Sequence, residues 1–349
     1  MLDAMPLTEQ ISRGMPVEVS QINRSLSRLW EQESDELTKA SLVNFAVYSE
    51  ASAALNSNTQ LMAQITREHA CRVLLIGANP DASRPRVQAW ISAHCHLSGS
   101  GSRQVCSEQI AFLIDGGGPE VVRNILFSHL DSDLPLYLWW QEPLTDSFDA
   151  QLWGWVDRFF FDSHEWRTPA RQIRILRSSV AGAKSRAVLC DLNWRRLMFI
   201  RLAVARSFDQ AWGRACLRQI RGIRVTYNPE FWTTAVLLIG WLASRLGWRL
   251  SSETDSRYQF EAGSQAIEVH MEGVPGPWIS QLAINFESGD FSLEWSGKFL
   301  EIGWSEHPEM KQLLPAGETT LVSLVSEELA RGGEHRTYLD ALEIAEKLW

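Results

Sequence analysis

The chain has 349 residues, with 33 lysines and arginines against 42 aspartates and glutamates and a formal net charge of −9 at pH 7. Apolar residues at 45% and charged residues at 21% exclude a disordered or fibrous protein, and the acidic balance argues against a nucleic-acid binder. A single core stops growing near roughly 250–300 residues, so two domains are expected. Sixteen tryptophans stand against 5 tyrosines. Tryptophan serves both cores and interface anchors, and the count alone does not separate the two uses.

The opening MLDAMPLTEQISRG lacks a basic region followed by an apolar one, so no secretory signal is expected and the chain reads as soluble and cytoplasmic. Residues 1–35 form a tail and an amphipathic helix. Behind a capping Ser20, the residues Ile22, Leu26, Leu29 and Trp30 fall on one helical stripe. That stripe either lies on its own domain or docks on a partner, with Trp30 as the anchor.

Residues 36–185 read as an α/β domain. Strands are expected over 41–49, 72–79, 91–97, 107–115, 134–140 and 158–163, and helices over 58–69 and 119–129. Strand–helix–strand alternation implies a mainly parallel sheet covered by helices, a three-layer α/β arrangement. Residues 186–349 read as a smaller α+β domain. It opens with an arginine-rich helix over 191–208 and an apolar helix over 230–246 that Gly247 stops. The apolar stretch over 231–246 is shorter than the roughly 20 residues of a membrane span and reads as a buried helix. From 257 onward the period is two: Phe291, Leu293 and Trp295, then Leu300, Ile302 and Trp304, alternate with polar residues, the pattern of an antiparallel β-meander. Two helices, near 319–331 and 335–348, close the chain.

Catalytic templates fail one by one. Gly116, Gly117 and Gly118 sit between a strand and a helix, where backbone N–H groups could cradle an anion, but the spacing matches neither phosphate-binding consensus. Asp162 and Ser163 lie at the carboxyl end of a strand, where α/β proteins bind ligands, and could equally cap the next helix. His94 and His96 share a strand face without a third metal ligand placed by sequence, and no G-x-S-x-G or H-E-x-x-H occurs. No metal or cofactor is expected. Five cysteines form no C-x-x-C, yet a hairpin turned between Ser100 and Gly101 would set Cys95 opposite Cys106, as packed thiols or as a reducible, redox-responsive pair.

Five strings together resemble a known family: VCSEQI at 105–110, DLPLYLWW at 133–140, DRFFFDS at 157–163, DLNWRRL at 191–197 with Arg201 and Ser207-Phe208-Asp209 downstream, and LLIGWLASRLGWRL at 237–250. In this order they are similar to the bacterial glucose-6-phosphate dehydrogenase assembly proteins, OpcA. The resemblance implies a non-enzymatic partner that binds glucose-6-phosphate dehydrogenase in a hetero-oligomer, favours its active oligomer and raises its activity in the oxidative pentose phosphate pathway. Trp139 and Trp140 at a strand end, the leftover Trp153 and Trp155, and the basic Arg195, Arg196 and Arg201 are the candidate partner-binding residues beside Trp30. The alternative is a sugar-phosphate- or nucleotide-binding enzyme or sensor that uses Gly116, Gly117, Gly118, Asp162 and Ser163.

Overall fold

The computed structural model describes residues 14–31, 37–50, 53–97, 104–145, 150–182, 187–254, 257–333 and 335–349. The chain divides into two compact, discontinuous units: Met1–Phe161 with Arg174–Cys190 and Thr320–Gly333, and Asp162–Ile173 with Asp191–Thr319 and Glu334–Trp349. The helices, in chain order, are α1 (Ile22–Glu31), α2 (Ala54–Ile65), α3 (Pro119–His129), α4 (Ala150–Trp153), α5 (Pro169–Gly182), α6 (Leu192–Arg196), α7 (Met198–Ser207), α8 (Ala211–Cys216), α9 (Trp232–Leu246), α10 (Leu321–Leu329) and α11 (Arg336–Ala345).

In the first unit the strands are β1 (Met15–Val17), β2 (Leu37–Lys39), β3 (Val43–Ser49), β4 (Cys71–Asn79), β5 (Arg86–Leu97), β6 (Gln104–Asp115), β7 (Leu136–Trp140), β8 (Val156–Phe161) and β9 (Val188–Asp191). They make one nine-stranded sheet in the order β1-β5-β6-β4-β3-β7-β8-β9, with β2 beside the start of β6. The pairs β3–β4, β4–β6, β3–β7 and β7–β8 are parallel, and β5 runs antiparallel to β6. Phe45, Val47, Val73 and Leu75 are buried together with their neighbours Ala46 and Leu74, so both faces of the central strands are covered, as a parallel sheet requires. Numbered among themselves, β3, β4, β6, β7, β8 and β9 lie in the order 3-2-1-4-5-6. That is the doubly wound order, in which right-handed crossovers send successive helices to opposite faces on either side of the first strand. The direction of winding reverses between β3 and β7.

The expected strands are all present. The helix expected over 58–69 runs instead from Ala54 to Ile65, its polar residues satisfied by the helix backbone or by a neighbouring segment. Thr59 donates to the Leu55 carbonyl at 2.8 Å, and Asn58 exchanges amide hydrogen bonds with Gln141. At the other face Glu108 on β6 is buried and collects three donors: Arg72, Lys39 at 3.0 Å and the Trp30 indole at 3.2 Å. On β8, buried Arg158 reaches Glu328 of α10 at 2.7 Å and the Arg331 carbonyl at 2.7 Å.

The second unit carries β10 (Ile220–Tyr227), β11 (Arg249–Thr254), β12 (Arg257–Ala262), β13 (Gln265–Gly273), β14 (Ile279–Phe286), β15 (Asp290–Ser296), β16 (Phe299–Trp304) and β17 (Gln312–Pro315) in one eight-stranded sheet. The pairs are antiparallel except β10–β13, and β14 to β17 form the expected meander. Phe291, Leu293, Leu300, Ile302 and Trp304 are buried on one face, with Trp295 half-buried beside them. Phe208 meets Phe291 at 5.2 Å and Trp304 at 5.0 Å between ring centroids. Every residue of α9 from Thr233 to Ala243 is buried, which marks an all-round apolar helix of a core. Gly247 ends it at φ 69°, a left-handed conformation that glycine adopts without penalty. Among the described residues no helix is long and apolar enough to cross a membrane. The single helix expected over 191–208 is broken: Leu197, at ψ −6°, separates α6 from α7.

Candidate functional site

A doubly wound sheet binds ligands outside the carboxyl ends of its strands, at the reversal point. Here that point holds a cavity of about 290 Å³, lined by Tyr48 and Glu50 from the end of β3, Trp140 from the end of β7, the Gly116–Gly117–Gly118 turn, and Ile114, Val122 and Leu152 among others. Gly116 (φ 64°) and Gly117 (φ 91°) take left-handed conformations that let β6 turn sharply into α3, and the Gly116 N–H donates to the Asn79 carbonyl at 2.9 Å.

Two donor groups ordinarily hold a dinucleotide pyrophosphate in such a crevice: the glycine-rich turn after the first strand and a helix N-terminus. Here a carboxylate of the chain's own answers the first of them, and a second lies at the neighbouring turn after β6. The sequence after β3, Glu50-Ala51-Ser52-Ala53, has no glycine, and the Glu50 N–H donates to Glu142 Oε1 at 2.8 Å. At the start of α3 the Glu120 carboxylate folds onto Gly118, where a Cβ would fall 2.5 Å from Glu120 Oε2. An acid in the first turn of a helix complements its dipole.

The remaining lining is aromatic and acidic. Tyr48 and Trp140 stack with centroids 3.8 Å apart and planes at 11°, and the Tyr48 hydroxyl donates to Glu50 Oε1 at 3.2 Å. Burial, and then the neighbouring Glu142, push the Glu50 carboxyl above its usual range. Burial, and then Glu50, raise the Tyr48 phenol. Behind them Asn58 and Gln141 close the seam between α2 and β7 with hydrogen bonds of 2.9 and 3.0 Å.

In the second unit, Asp162 and Ser163 belong to a buried polar network. Asp162 accepts two hydrogen bonds from Arg196, at 3.1 and 2.7 Å, and caps the short turn Ser163–Glu165. The Ser163 hydroxyl donates to Asp191 Oδ2 at 2.7 Å and accepts from Asn193 at 3.0 Å. Asp191 also accepts the Ser163 and Asn193 N–H groups, at 3.0 and 2.9 Å. Full burial, with the Asp162 charge second, pushes the Asp191 carboxyl up to about 7. His164 stacks on Phe231 at 4.2 Å, and the Arg196 guanidinium lies 5.6 Å from the same ring. Burial draws the His164 imidazole down. The DLN part of the DLNWRRL string is thus a capping and hydrogen-bonding device. Asp191 caps α6, and Asn193 gathers Ser163, Arg196 and Thr234.

The remaining sequence-derived residues fall as follows. Gly116, Gly117 and Gly118 line the crevice of the first unit, whereas Asp162 and Ser163 lie in the second. Trp139 and Trp153 are buried, Trp30 is half-buried on Glu108, and Trp155 is 63% exposed beside Phe127. Arg196 is buried, while Arg201 lies 3.4 Å over the Trp194 ring and Arg195 is half-buried. Cys95 and Cys106 are directly opposed in the β5–β6 ladder, the register expected, and are joined in a disulfide. The turn at 98–102 lies outside the described residues. His94 meets Gln109 at 2.9 Å. Sequence reasoning missed Glu50, Glu120, Glu142, Glu108 and Arg158. An acid just after a Gly-Gly-Gly-Pro turn was the one local signal, since Glu120 stands in the first turn of α3.

Two family models match the chain: the glucose-6-phosphate dehydrogenase subunit N-terminal domain over residues 62–178 and the subunit's C-terminal domain over 187–342. A protein of Nostoc punctiforme that carries the name OxPP cycle protein OpcA is 28% identical over 243 residues, which cover 64% of this chain and 50% of that one. One of the same name from Synechococcus elongatus is 24% identical over 308 residues, 80% of this chain and 68% of that one. The chain thus spans about half the length of the first of these relatives. Among solved structures, an aldose-aldose oxidoreductase of Caulobacter crescentus aligns at TM-score 0.48 and 9% identity, over 88% of this chain and 95% of that one. An oxidoreductase of Sinorhizobium meliloti aligns at TM-score 0.47 and 11% identity, over 88% and 89%. With both domain models matched in order along the sequence, the chain belongs to the OpcA family of glucose-6-phosphate dehydrogenase subunits.

Proposed function

We propose that this chain is a non-catalytic assembly partner of glucose-6-phosphate dehydrogenase, acting in the cytoplasm to favour the dehydrogenase's active oligomer and raise its rate. The observation that carries this reading is the crevice at the winding reversal. It keeps a cavity, but Glu142 takes the Glu50 N–H that follows the first strand, Glu120 lies against the Gly118 turn, and Glu50 adds a third carboxylate. A pyrophosphate placed there would meet like charge where a dinucleotide enzyme offers N–H groups.

Activation by a partner requires tighter binding to the active oligomer than to the inactive one, and a differential of about 1–3 kcal/mol gives roughly 5–150-fold coupling. The alternative, a sugar-phosphate or nucleotide sensor, draws on Asp162 and Ser163, whose side chains are already held by Arg196, Asp191 and Asn193. A size-exclusion run of the purified chain with the dehydrogenase of the same cell tests the partnership: co-elution is expected, and separate elution at micromolar concentrations overturns it. Thermal-shift measurements with NADP and glucose 6-phosphate test the alternative, because a ligand of the native state must raise its stability.

A further inference from the structure

The crevice at the winding reversal presents an apolar cavity with an anionic mouth. Ile114, Val122, Leu152 and the Tyr48–Trp140 stack supply the walls. Glu50 stands at the rim, Glu142 meets its backbone N–H, and Asp81 is close enough to act on it electrostatically. Among the described residues none of these three carboxylates forms an ion pair with a lysine, arginine or histidine. Three like charges held together beside an apolar wall repel one another and lack a counter-ion. A cation on an aliphatic stem satisfies both halves of this surface at once. Its methylenes cover the aromatic and aliphatic walls while its head meets the carboxylates. The volume suits one long side chain rather than a nucleotide, whose phosphates the same carboxylates turn away.

We propose that this crevice is a socket for a lysine or arginine side chain presented by the dehydrogenase. The inference rests on the partnership proposed above and names the surface through which it works: apolar anchoring deep in the cavity, charge complementarity at the rim. It also gives the crevice at the winding reversal a use consistent with its chemistry.

The test measures affinity of the full-length chain for the purified dehydrogenase by biolayer interferometry. It compares the unaltered chain, the double substitution Glu50→Gln and Glu142→Gln, and a control, Glu268→Gln with Glu272→Gln, two exposed carboxylates on β13. The amides keep side-chain shape, and thermal melts establish that each variant folds. The crevice variant is expected to bind on the order of tenfold more weakly, with the control unchanged. N-acetyl-arginine amide at millimolar concentration is expected to compete, and N-acetyl-glutamine amide is not. Equal affinity of the crevice variant and the unaltered chain overturns the socket while leaving the partnership standing. Failure of the unaltered chain to bind the dehydrogenase overturns the partnership and the socket with it. Saturable binding of the arginine amide with no effect on the complex overturns the socket as a docking surface and marks a small-molecule guanidinium site instead.

Discussion

Arg196 and Asp162 form a two-bond ion pair, Nη1 to Oδ1 at 3.1 Å and Nη2 to Oδ2 at 2.7 Å, with both side chains buried. The pair ties the Ser163–Glu165 turn, which Asp162 caps, to α6 inside the second unit. Removing the guanidinium would leave Asp162 buried without its partner and next to Asp191. Arg196→Met is therefore expected to lower stability by about 3–5 kcal/mol, the range found when one partner of a buried pair is lost. Arg196→Lys, which keeps charge but not the fork geometry, is expected to lose less. Urea unfolding of the three chains checks this order.

Asp191 lies in the same network and titrates in the native state near 7, raised by burial from an ordinary value of 3.8. The native state therefore binds a proton that the unfolded chain has already lost across this interval. Its contribution to stability is fully present below about pH 4 and is lost as pH rises towards and through 7. Between pH 5 and 8 the unaltered chain is expected to lose stability relative to Asp191→Asn, which cannot titrate. Melting curves of both chains across that range check the sign, and parallel profiles would contradict it.

Much of this architecture was legible from residue patterns. Unbroken apolar runs such as RVLLIGAN gave the central strands because strands buried on both faces need no alternation. Strict alternation in FSLEWS and FLEIGW gave the meander because one of its faces is solvated. The disposition of the polar groups was not legible. Arg196 looks like one member of a basic helix face in DLNWRRL, and only the fold brings Asp162, some thirty positions earlier, against it. Trp30 looks like a free anchor until Glu108, 78 positions away, accepts its indole N–H. The crevice carboxylates escaped for the same reason: Glu50 and Glu142 are 92 positions apart and meet only because β3 and β7 are neighbours.

Trp153 and Trp155, two residues apart, have opposite environments. Trp153 is completely buried and packs on Phe159 at 4.4 Å, whereas Trp155 is 63% exposed. Trp153→Ala is expected to destabilise by about 3–5 kcal/mol, through lost burial and the cavity left behind. Trp155→Ala is expected to change stability by less than about 0.5 kcal/mol. As a contact for the dehydrogenase, Trp155 is expected to weaken the complex by about 2 kcal/mol or more when truncated to alanine. Denaturant curves and affinity measured on the same samples separate these effects.

The Cys95–Cys106 bond spans 11 positions of sequence and crosses an antiparallel ladder that main-chain hydrogen bonds also hold. Closing a loop of that size restricts the unfolded chain by about 3 kcal/mol in the chain-entropy account. Oxidised protein, alkylated after denaturation without reductant, is expected to carry label on Cys71, Cys190 and Cys216 and none on Cys95 or Cys106. Reduction is expected to lower the unfolding midpoint while leaving the strands paired. Labelling of all five cysteines in the oxidised sample would contradict the bond.

The central claim, a chain that acts by binding rather than by chemistry, is tested most directly by the rate of purified glucose-6-phosphate dehydrogenase at fixed concentration while this chain is titrated in. The expected result is a saturable rise in NADPH production, accompanied by a shift of the dehydrogenase to a larger assembly, with no NADPH formed by the chain alone. A flat rate and an unchanged assembly size at saturating concentrations, or NADPH production by the chain without the dehydrogenase, would contradict it.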